Sequence, residues 1–499
     1  MQYKKNINIL NSCKEFLLQF ELFRPFLAPG DSLLHHATRQ SGWFFAVRFS
    51  KRFFMLLQTI ILARLIKPED FGLFGIVMVI YVALEFLTAI GIRPALIQRQ
   101  DISKDHLDTA WTFLVLQWAV LAVFVFLLSK PISLFFNEPK VVNLIRVFSI
   151  SVLLTGFTNI GTVYFDKEFR FKNIFLLEGG QTLAGVVFTI SLAFMLRNVW
   201  ALIIGSIVGK IVNLVLSFLL HEYRPSFTIN RKILNELFTY GKWLWISTIF
   251  NYFILYGDNI FVGKVLGTSA LGFYRVAYSI GNFSTTAFAN IIRRASFPAF
   301  SKLQREHEQL RRSYLKVTRA LCFIVLPLNV GLFIFAPEFV KLVLGKVWLS
   351  IVPVIRCLTI FSVFNALILK SRALFNAMGT PRYTTYSSLS FFIVAASTIY
   401  PFSQLRGLLG VVLALSLSAF ISWLFSEFMA IKLLSIKPSL IGIVYSKALV
   451  SPLVMGIFFT AMKKTLLDGN PLLSLLILPP IGVAVFLSSE AIIKQKIKV

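Results

Sequence analysis

The chain has 499 residues, 57% of them hydrophobic and 52 of them phenylalanine, with a mean hydropathy of +0.76 and a formal net charge of +28. No water-soluble protein of this size carries so much apolar material, which excludes soluble enzymes and binding modules. Its three cysteines, Cys13, Cys322 and Cys357, are scattered, and His35–His36 belongs to no HExxH motif, so neither a disulfide framework nor a metal site is expected.

Residues 1–40 are polar and mixed and predict a cytoplasmic N-terminal tail with no cleaved signal. Beyond them, apolar runs of about 20 residues recur to the C-terminus, each long enough to cross a bilayer as a helix. The predicted spans are 41–65, 72–92, 110–129, 141–163, 174–196, 199–220, 240–265, 270–292, 318–344, 352–369, 384–403, 407–431, 444–462 and 471–490. The fold class is therefore all-α, a polytopic membrane protein of about 14 transmembrane helices. KPISLFFNEPK separates the third and fourth spans, with Pro131 and Pro139 as breakers. SKLQREHEQLRRSYLK, residues 301–316, predicts an amphipathic cytoplasmic connector.

Outside the spans, one alternating set of segments holds 31 Lys and Arg and the other holds 11. The positive-inside rule then puts both termini in the cytoplasm. The net charge reflects this topology, so no nucleic-acid partner is expected.

Eight further cations lie in or near spans: Arg48, Lys51, Arg52, Arg146, Lys210, Lys242, Arg275 and Arg356. Those near an interface, such as Arg146 and Lys242, can snorkel. Arg48, Lys51 and Arg52 are deeper, within VRFSKRFFMLLQ (47–58). A cation at mid-bilayer costs about 2.5–3.5 kcal/mol on insertion scales, so such groups turn to the bundle interior.

An internal repeat sharpens the question. ARLIKPEDFGLF (63–74) is echoed by GKVLGTSALGFY (263–274), an offset of 200 that aligns Arg64 with Lys264, Gly72 with Gly272 and Arg93 with Arg293. LIRVFSI (144–150) is echoed by VIRCLTI (354–360) at an offset of 210, which also aligns Phe165 with Phe375. Two direct six-helix lobes follow, 41–239 and 240–437, with 438–499 supplying two additional helices and the C-terminus. In the first span Arg48, Lys51, Arg52, Met55, Gln58 and Thr59 share a face; its counterpart is Thr248, Asn251, Tyr252, Leu255, Asp258 and Asn259. Either Asp258 pairs with Lys51 or Arg52, or the cations line a cavity that receives an anion, or the bridge serves as a gate. Within spans the acids are Asp258, Glu85 and Glu178.

ILARLIKPEDFGLFGIV followed by GIRPALIQRQDIS resembles the start of the polysaccharide transporter family. These are the Wzx-type O-antigen and exopolysaccharide flippases of the multidrug/oligosaccharidyl-lipid/polysaccharide exporter superfamily. FDKEFRFKN, WALIIGSIVGKIVNLVL, NYFILYGDNIFVGKVLGTSALGFYRVAY, FPAFSKLQ and LFNAMGTPRY extend the likeness, from about residue 31 to at least 430, and it is strongest to the colanic-acid-exporter-like subgroup. The resemblance implies two six-helix lobes around a cavity open alternately to either side of the bacterial inner membrane. It implies undecaprenyl-pyrophosphate-linked oligosaccharide as substrate, and export for O-antigen, capsule or exopolysaccharide assembly. It also implies membrane lipids as partners, polysaccharide polymerase and chain-length proteins as candidate ones, and a groove for the polyprenyl tail beside the last two helices.

On this reading Arg48, Lys51 and Arg52 bind substrate, and Asp258, Glu85 and Glu178 serve coupling or gating. No cofactor is expected beyond H⁺ or Na⁺ coupling. A lipid II-type flippase is the nearest alternative. A multidrug or cation efflux pump of the same superfamily calls for an acidic cavity instead. A polysaccharide polymerase or ligase calls for a large periplasmic loop and paired catalytic groups, and neither is present in the sequence.

Overall fold

The computed structural model describes residues 51–88, 92–99, 101–168, 170–235, 252–253, 255–466 and 478–489. Among them there is no strand. Eight helices are long and apolar enough to cross a membrane, or nine if the bent pair Val141–Gly156 and Ile160–Lys167 counts as one span. In chain order the elements are α1 (51–65), α2 (Pro68–Thr88), α3 (Ile92–Gln98), α4 (Lys104–Phe136), α5 (Val141–Gly156), α6 (Val163–Lys167), α7 (Phe171–Leu196) and α8 (Trp200–Leu219). The second half holds α9 (255–266), α10 (Gly267–Gly281), α11 (Asn290–Lys302), α12 (His307–Phe339), α13 (Val352–Ala377), α14 (Pro381–Leu434), α15 (Pro438–Leu466) and α16 (Leu478–Ser489). The predicted spans 41–65, 240–265 and 471–490 lie partly outside the described residues.

A straight helix of 54 residues would run about 80 Å, far more than a bilayer core. α14 is instead two antiparallel helices broken at Arg406–Gly407, where Gly407 takes φ 55°. Its halves lie so close that a Cβ on Gly410 would stand 1.8 Å from the Phe402 carbonyl oxygen. Ser387 lies against both Ser422 and Ser426, with hydroxyl contacts of 3.1 and 2.7 Å.

Tight breaks gather on one face of the bundle: Asn137, Arg197, Gly267, Gly345 and Gly407 all have positive φ. On this hairpin face the two halves touch. Arg64 donates to the carbonyls of Val343 (2.8 Å) and Leu342, and Trp348 Nε1 donates to that of Ala63 (2.8 Å). There α2 and α10 cross at Gly72 and Gly272. A Cβ on Gly72 would stand 1.8 Å from Thr268 O, and one on Gly272 1.8 Å from Pro68 O. These are the same contact twice, 200 residues apart. The offset-210 echo has a common environment too: Arg146 lies 5.3 Å over the Phe126 ring and Arg356 5.4 Å over that of Phe333.

On the opposite face, the segment joining the halves is strapped to the start of α4. Tyr223 OH, Ser226 N (3.0 Å) and Ser226 Oγ (2.5 Å) all donate to Asp108. Burial and the Asp108 carboxylate hold the Tyr223 phenol well above its ordinary pKa.

Three expectations are corrected. Pro131 does not break its span; α4 continues to Phe136 and stops at Asn137, in the left-handed conformation. Residues 301–316 are not a connector of their own: α11 ends at Lys302, α12 begins at His307, and Glu308 pairs with Arg311 and Arg312 inside the helix. Lys370, counted among cytoplasmic loop cations, is 1% exposed within α13. Its Nζ lies 3.1 Å from Glu427 Oε2, 3.0 Å from Thr318 Oγ1, 3.1 Å from Tyr445 OH and 4.3 Å from the centre of the Tyr314 ring. Four helices, α12 to α15, thus converge on one ammonium. Breaking a buried pair from one side costs about 3–5 kcal/mol, because the other charge is left uncompensated. Lys370→Met is accordingly expected to lower the melting temperature in detergent steeply, and Lys370→Met with Glu427→Leu to recover most of it. Equal losses in the single and double variants would contradict a paired role.

Candidate functional site

Charged and phenolic side chains of α1, α2, α7, α8, α9 and α10 meet between the two halves. Lys51 Nζ lies 3.3 Å from Glu178 Oε2 of α7. Its neighbour Arg52 makes no ion pair among the described residues and faces Tyr278 of α10. Lys210 of α8 sits 5.2 Å over the Tyr81 ring, within electrostatic range of Glu85 and Lys51. Glu85 in turn lies near Tyr256 of α9.

Tyr256 stacks on Tyr252 (centroids 5.7 Å apart), both rings pack against Phe86 of α2, and Tyr252 OH donates to Val79 O of α2 (3.1 Å). Arg275 lies beside Tyr256, 5.8 Å over the Phe74 ring, and donates from Nη1 to Gly75 O (3.3 Å). Gly75 makes the room: a Cβ there would stand 2.8 Å from Arg275 Cδ.

Asp258 does not pair with Lys51 or Arg52. It accepts from Tyr274 OH, from Asn259 N (2.7 Å) and from Asn259 Nδ2 (2.9 Å), with no cation bonded to it among the described residues. The physical reason for the different pairing is reach: Glu178 of α7 comes to Lys51 first, while α10 supplies a phenol to Asp258. Arg48 lies outside the described residues. Lys51, Arg52, Asp258, Glu85 and Glu178 therefore belong to one neighbourhood. Lys210 and Arg275 join them; the sequence placed both among the eight cations in or near spans but assigned neither to the site. The signal was present: each is a lone charge in an apolar helix, and such charges turn inward.

This neighbourhood combines cations that can grip an anion with carboxylates that can exchange a proton or small cation. Four cations stand against three acids among the described residues, and Arg52 and Arg275 are free of carboxylate partners.

A second feature is an apolar cavity of about 540 Å³ between α12, α15 and α16, lined by Phe323, Leu332, Phe335, Met455, Phe459 and Phe486. Toward the hairpin face Lys463 of α15 pairs with Glu338 of α12 at 2.5 Å.

The sequence pattern of the polysaccharide biosynthesis protein family matches residues 61–353. The chain is 29% identical to lipopolysaccharide biosynthesis protein WzxC of Escherichia coli (strain K12), over 76% of this chain and 77% of that one. It is 23% identical to teichuronic acid biosynthesis protein TuaB of Bacillus subtilis (strain 168), over 68% and 71% respectively. Its fold is similar to that of the lipid II flippase MurJ in an inward closed conformation, with a TM-score of 0.75 and 15% identity, covering 91% of this chain and 99% of that one. The chain belongs to the polysaccharide biosynthesis protein family.

Proposed function

We propose that this family member is a flippase. It carries undecaprenyl-pyrophosphate-linked oligosaccharide repeat units from the cytoplasmic to the periplasmic face of the inner membrane, for O-antigen, capsule or exopolysaccharide assembly. The observation that carries the reading is the cluster of Lys51, Arg52, Lys210 and Arg275 inside a membrane-spanning bundle. A diphosphate can leave the headgroup region only toward such cations, because unpaired charge in hydrocarbon is costly. Arg offers a bidentate fork and Lys a point charge. The relatives named for lipopolysaccharide and teichuronic acid biosynthesis support a polymer precursor as cargo. The apolar cavity between α12, α15 and α16 suits the polyprenyl tail.

On this reading, residues 41–239 and 240–437 rock as two lobes, the hairpin face is periplasmic, and both termini are cytoplasmic. Export of an anion gains about 2.3 kcal/mol per charge per 100 mV of inside-negative potential. H⁺ or Na⁺ coupling runs through Asp258, Glu85 or Glu178, polysaccharide polymerase and chain-length proteins take the product onward, and the chain performs no catalysis of its own.

The test is complementation of a flippase-deficient strain with defined repeat units, reading polymer at the cell surface. Absence of polymer with every repeat unit, at normal protein level, would exclude the flippase reading. Within that assay Asp258→Asn is expected to lower export severalfold without loss of protein, since the amide still accepts from Tyr274 but holds no exchangeable charge. Normal export by the variant would reduce Asp258 to a packing role.

A further inference from the structure

The repeat places Arg293 where the first half has Arg93, and Phe375 where it has Phe165. Both phenylalanines are fully buried. In the first half Asp166, the residue after Phe165, neutralises Arg93: Nη2 and Oδ2 are 3.2 Å apart. In the second half the residue after Phe375 is Asn376, so the carboxylate is gone, and its Oδ1 accepts from Thr384 Oγ1 (3.1 Å). What stands near Arg293 instead is a second guanidinium, that of Arg372 on α13.

The Nε of Arg293 and the Nε of Arg372 are both buried without a hydrogen-bond partner among the described residues. Their helices pack through Ile292, Leu367 and Leu374, an apolar contact that supplies no acceptor. Of the acids on helices packed nearby, Glu308 is held by Arg311 and Arg312, and Glu427 by Lys370. Two like charges side by side in a low dielectric repel. Each buried, unmet N–H costs about 1–3 kcal/mol more. Where the first half holds a salt bridge, the second half holds two neighbouring guanidinium groups with no acid bonded to them among the described residues.

We propose that Arg293 and Arg372 form a binding site for the phosphate group of a membrane lipid, on the face of the bundle opposite the hairpin face. The diphosphate arm of this inference rests on the flippase reading. Paired guanidinium forks match phosphate oxygens, and the ligand supplies the charge that Asp166 supplies in the first half. The site is distinct from the cluster around Arg275: Arg275 lies on α10 and Arg293 on α11, 18 residues further along the chain and beyond the end of α10 at Gly281. It therefore meets the headgroup at one end of the path, while the central cluster meets it midway.

The experiment uses the full chain in nanodiscs of phosphatidylcholine, titrated separately with undecaprenyl diphosphate bearing no sugar and with phosphatidylglycerol, and read by native mass spectrometry. The key variant is Asn376→Asp, which restores a carboxylate four residues after Arg372 on one helix face. It is expected to keep or raise the melting temperature while weakening phosphate-lipid binding about tenfold or more, the scale of a lost charge-assisted hydrogen bond. Arg372→Gln is expected to weaken binding similarly. A loss confined to undecaprenyl diphosphate identifies the lipid carrier as the ligand, and a loss with both probes identifies any phospholipid phosphate; each supports the site. Binding of both probes by Asn376→Asp as tightly as by the unaltered chain overturns it. If the unaltered chain ignores undecaprenyl diphosphate but Asn376→Asp loses phosphatidylglycerol, the site stands and the flippase reading falls.

Discussion

Arg52→Ala is expected to cut surface polymer at least tenfold while the protein inserts at its normal level. Removing a cation from a span lowers the cost of insertion by about 2.5–3.5 kcal/mol, so loss of protein is not the expected route to loss of function. Arg52 has no carboxylate partner among the described residues, and its charge is free to meet a ligand. Each charge-assisted hydrogen bond it makes to a phosphate contributes about 1.5–3 kcal/mol, which sets the tenfold scale. Arg52→Lys keeps the field and loses the fork, so intermediate export is expected.

Lys51 behaves differently because Glu178 holds it. Lys51→Ala leaves that carboxylate exposed to the same cavity, where it repels an anion. Lys51→Ala with Glu178→Gln is therefore expected to export better than Lys51→Ala alone. Surface polymer assayed beside protein level checks all four variants. Normal polymer in Arg48→Ala with Arg52→Ala would remove the cationic cluster from the mechanism.

What the sequence reveals of this molecule depends on range. Apolar runs are local, and among the described residues the helices follow them, because a bilayer leaves the backbone no alternative to hydrogen-bonding itself within a helix. Helix ends are less legible: Lys370 and Arg372 read as loop cations because charge usually marks an interface, and only α14 reveals Glu427 waiting for one of them. Pro131 reads as a stop, yet α4 absorbs it near its end, a few residues before Asn137 provides the turn. The repeat was legible as identities between Gly72 and Gly272, although the reason, a backbone crossing, appears only in three dimensions.

Within the site, Arg52 and Asp258 were legible as charges that hydrocarbon would not accept. Their partners were not, because pairing across helices depends on rotation and register, which composition does not encode. Lys51 found α7 and Asp258 found α10. Tyr256 and Tyr278 stayed invisible among 14 tyrosines, since an aromatic ring in a membrane helix is ordinary until its neighbours are charges.

Gly272→Leu is expected to abolish export by preventing closure of the hairpin face. The substituted Cβ alone would stand 1.8 Å from the Pro68 carbonyl oxygen, and backbone on both sides of the crossing leaves no flexible side chain to yield. Overpacking in a well-packed contact costs about 1–3 kcal/mol, and a clash against backbone lies at or above the top of that range. The cheapest relief is separation of α2 from α10, which also stretches the Arg64 and Trp348 bonds across the same face. Each helix still spans the membrane, so protein level is expected to hold. Gly72→Leu meets the Thr268 carbonyl in the mirrored contact and is expected to act alike.

The direct measurement places a cysteine at Thr268 in a chain whose Cys13, Cys322 and Cys357 are replaced by serine or alanine. A membrane-impermeant thiol reagent is then added from the periplasmic side. Protection with Gly272 present and labelling with Gly272→Leu is the expected pair of results. Equal labelling in both would mean that the glycine crossing does not seal the face. Labelling from the cytoplasmic side alone would invert the orientation assigned to the bundle. The two glycines bear on alternating access for this reason: a seal built from bare backbone is tight when closed, yet it holds no side chain that must be disentangled before the halves part.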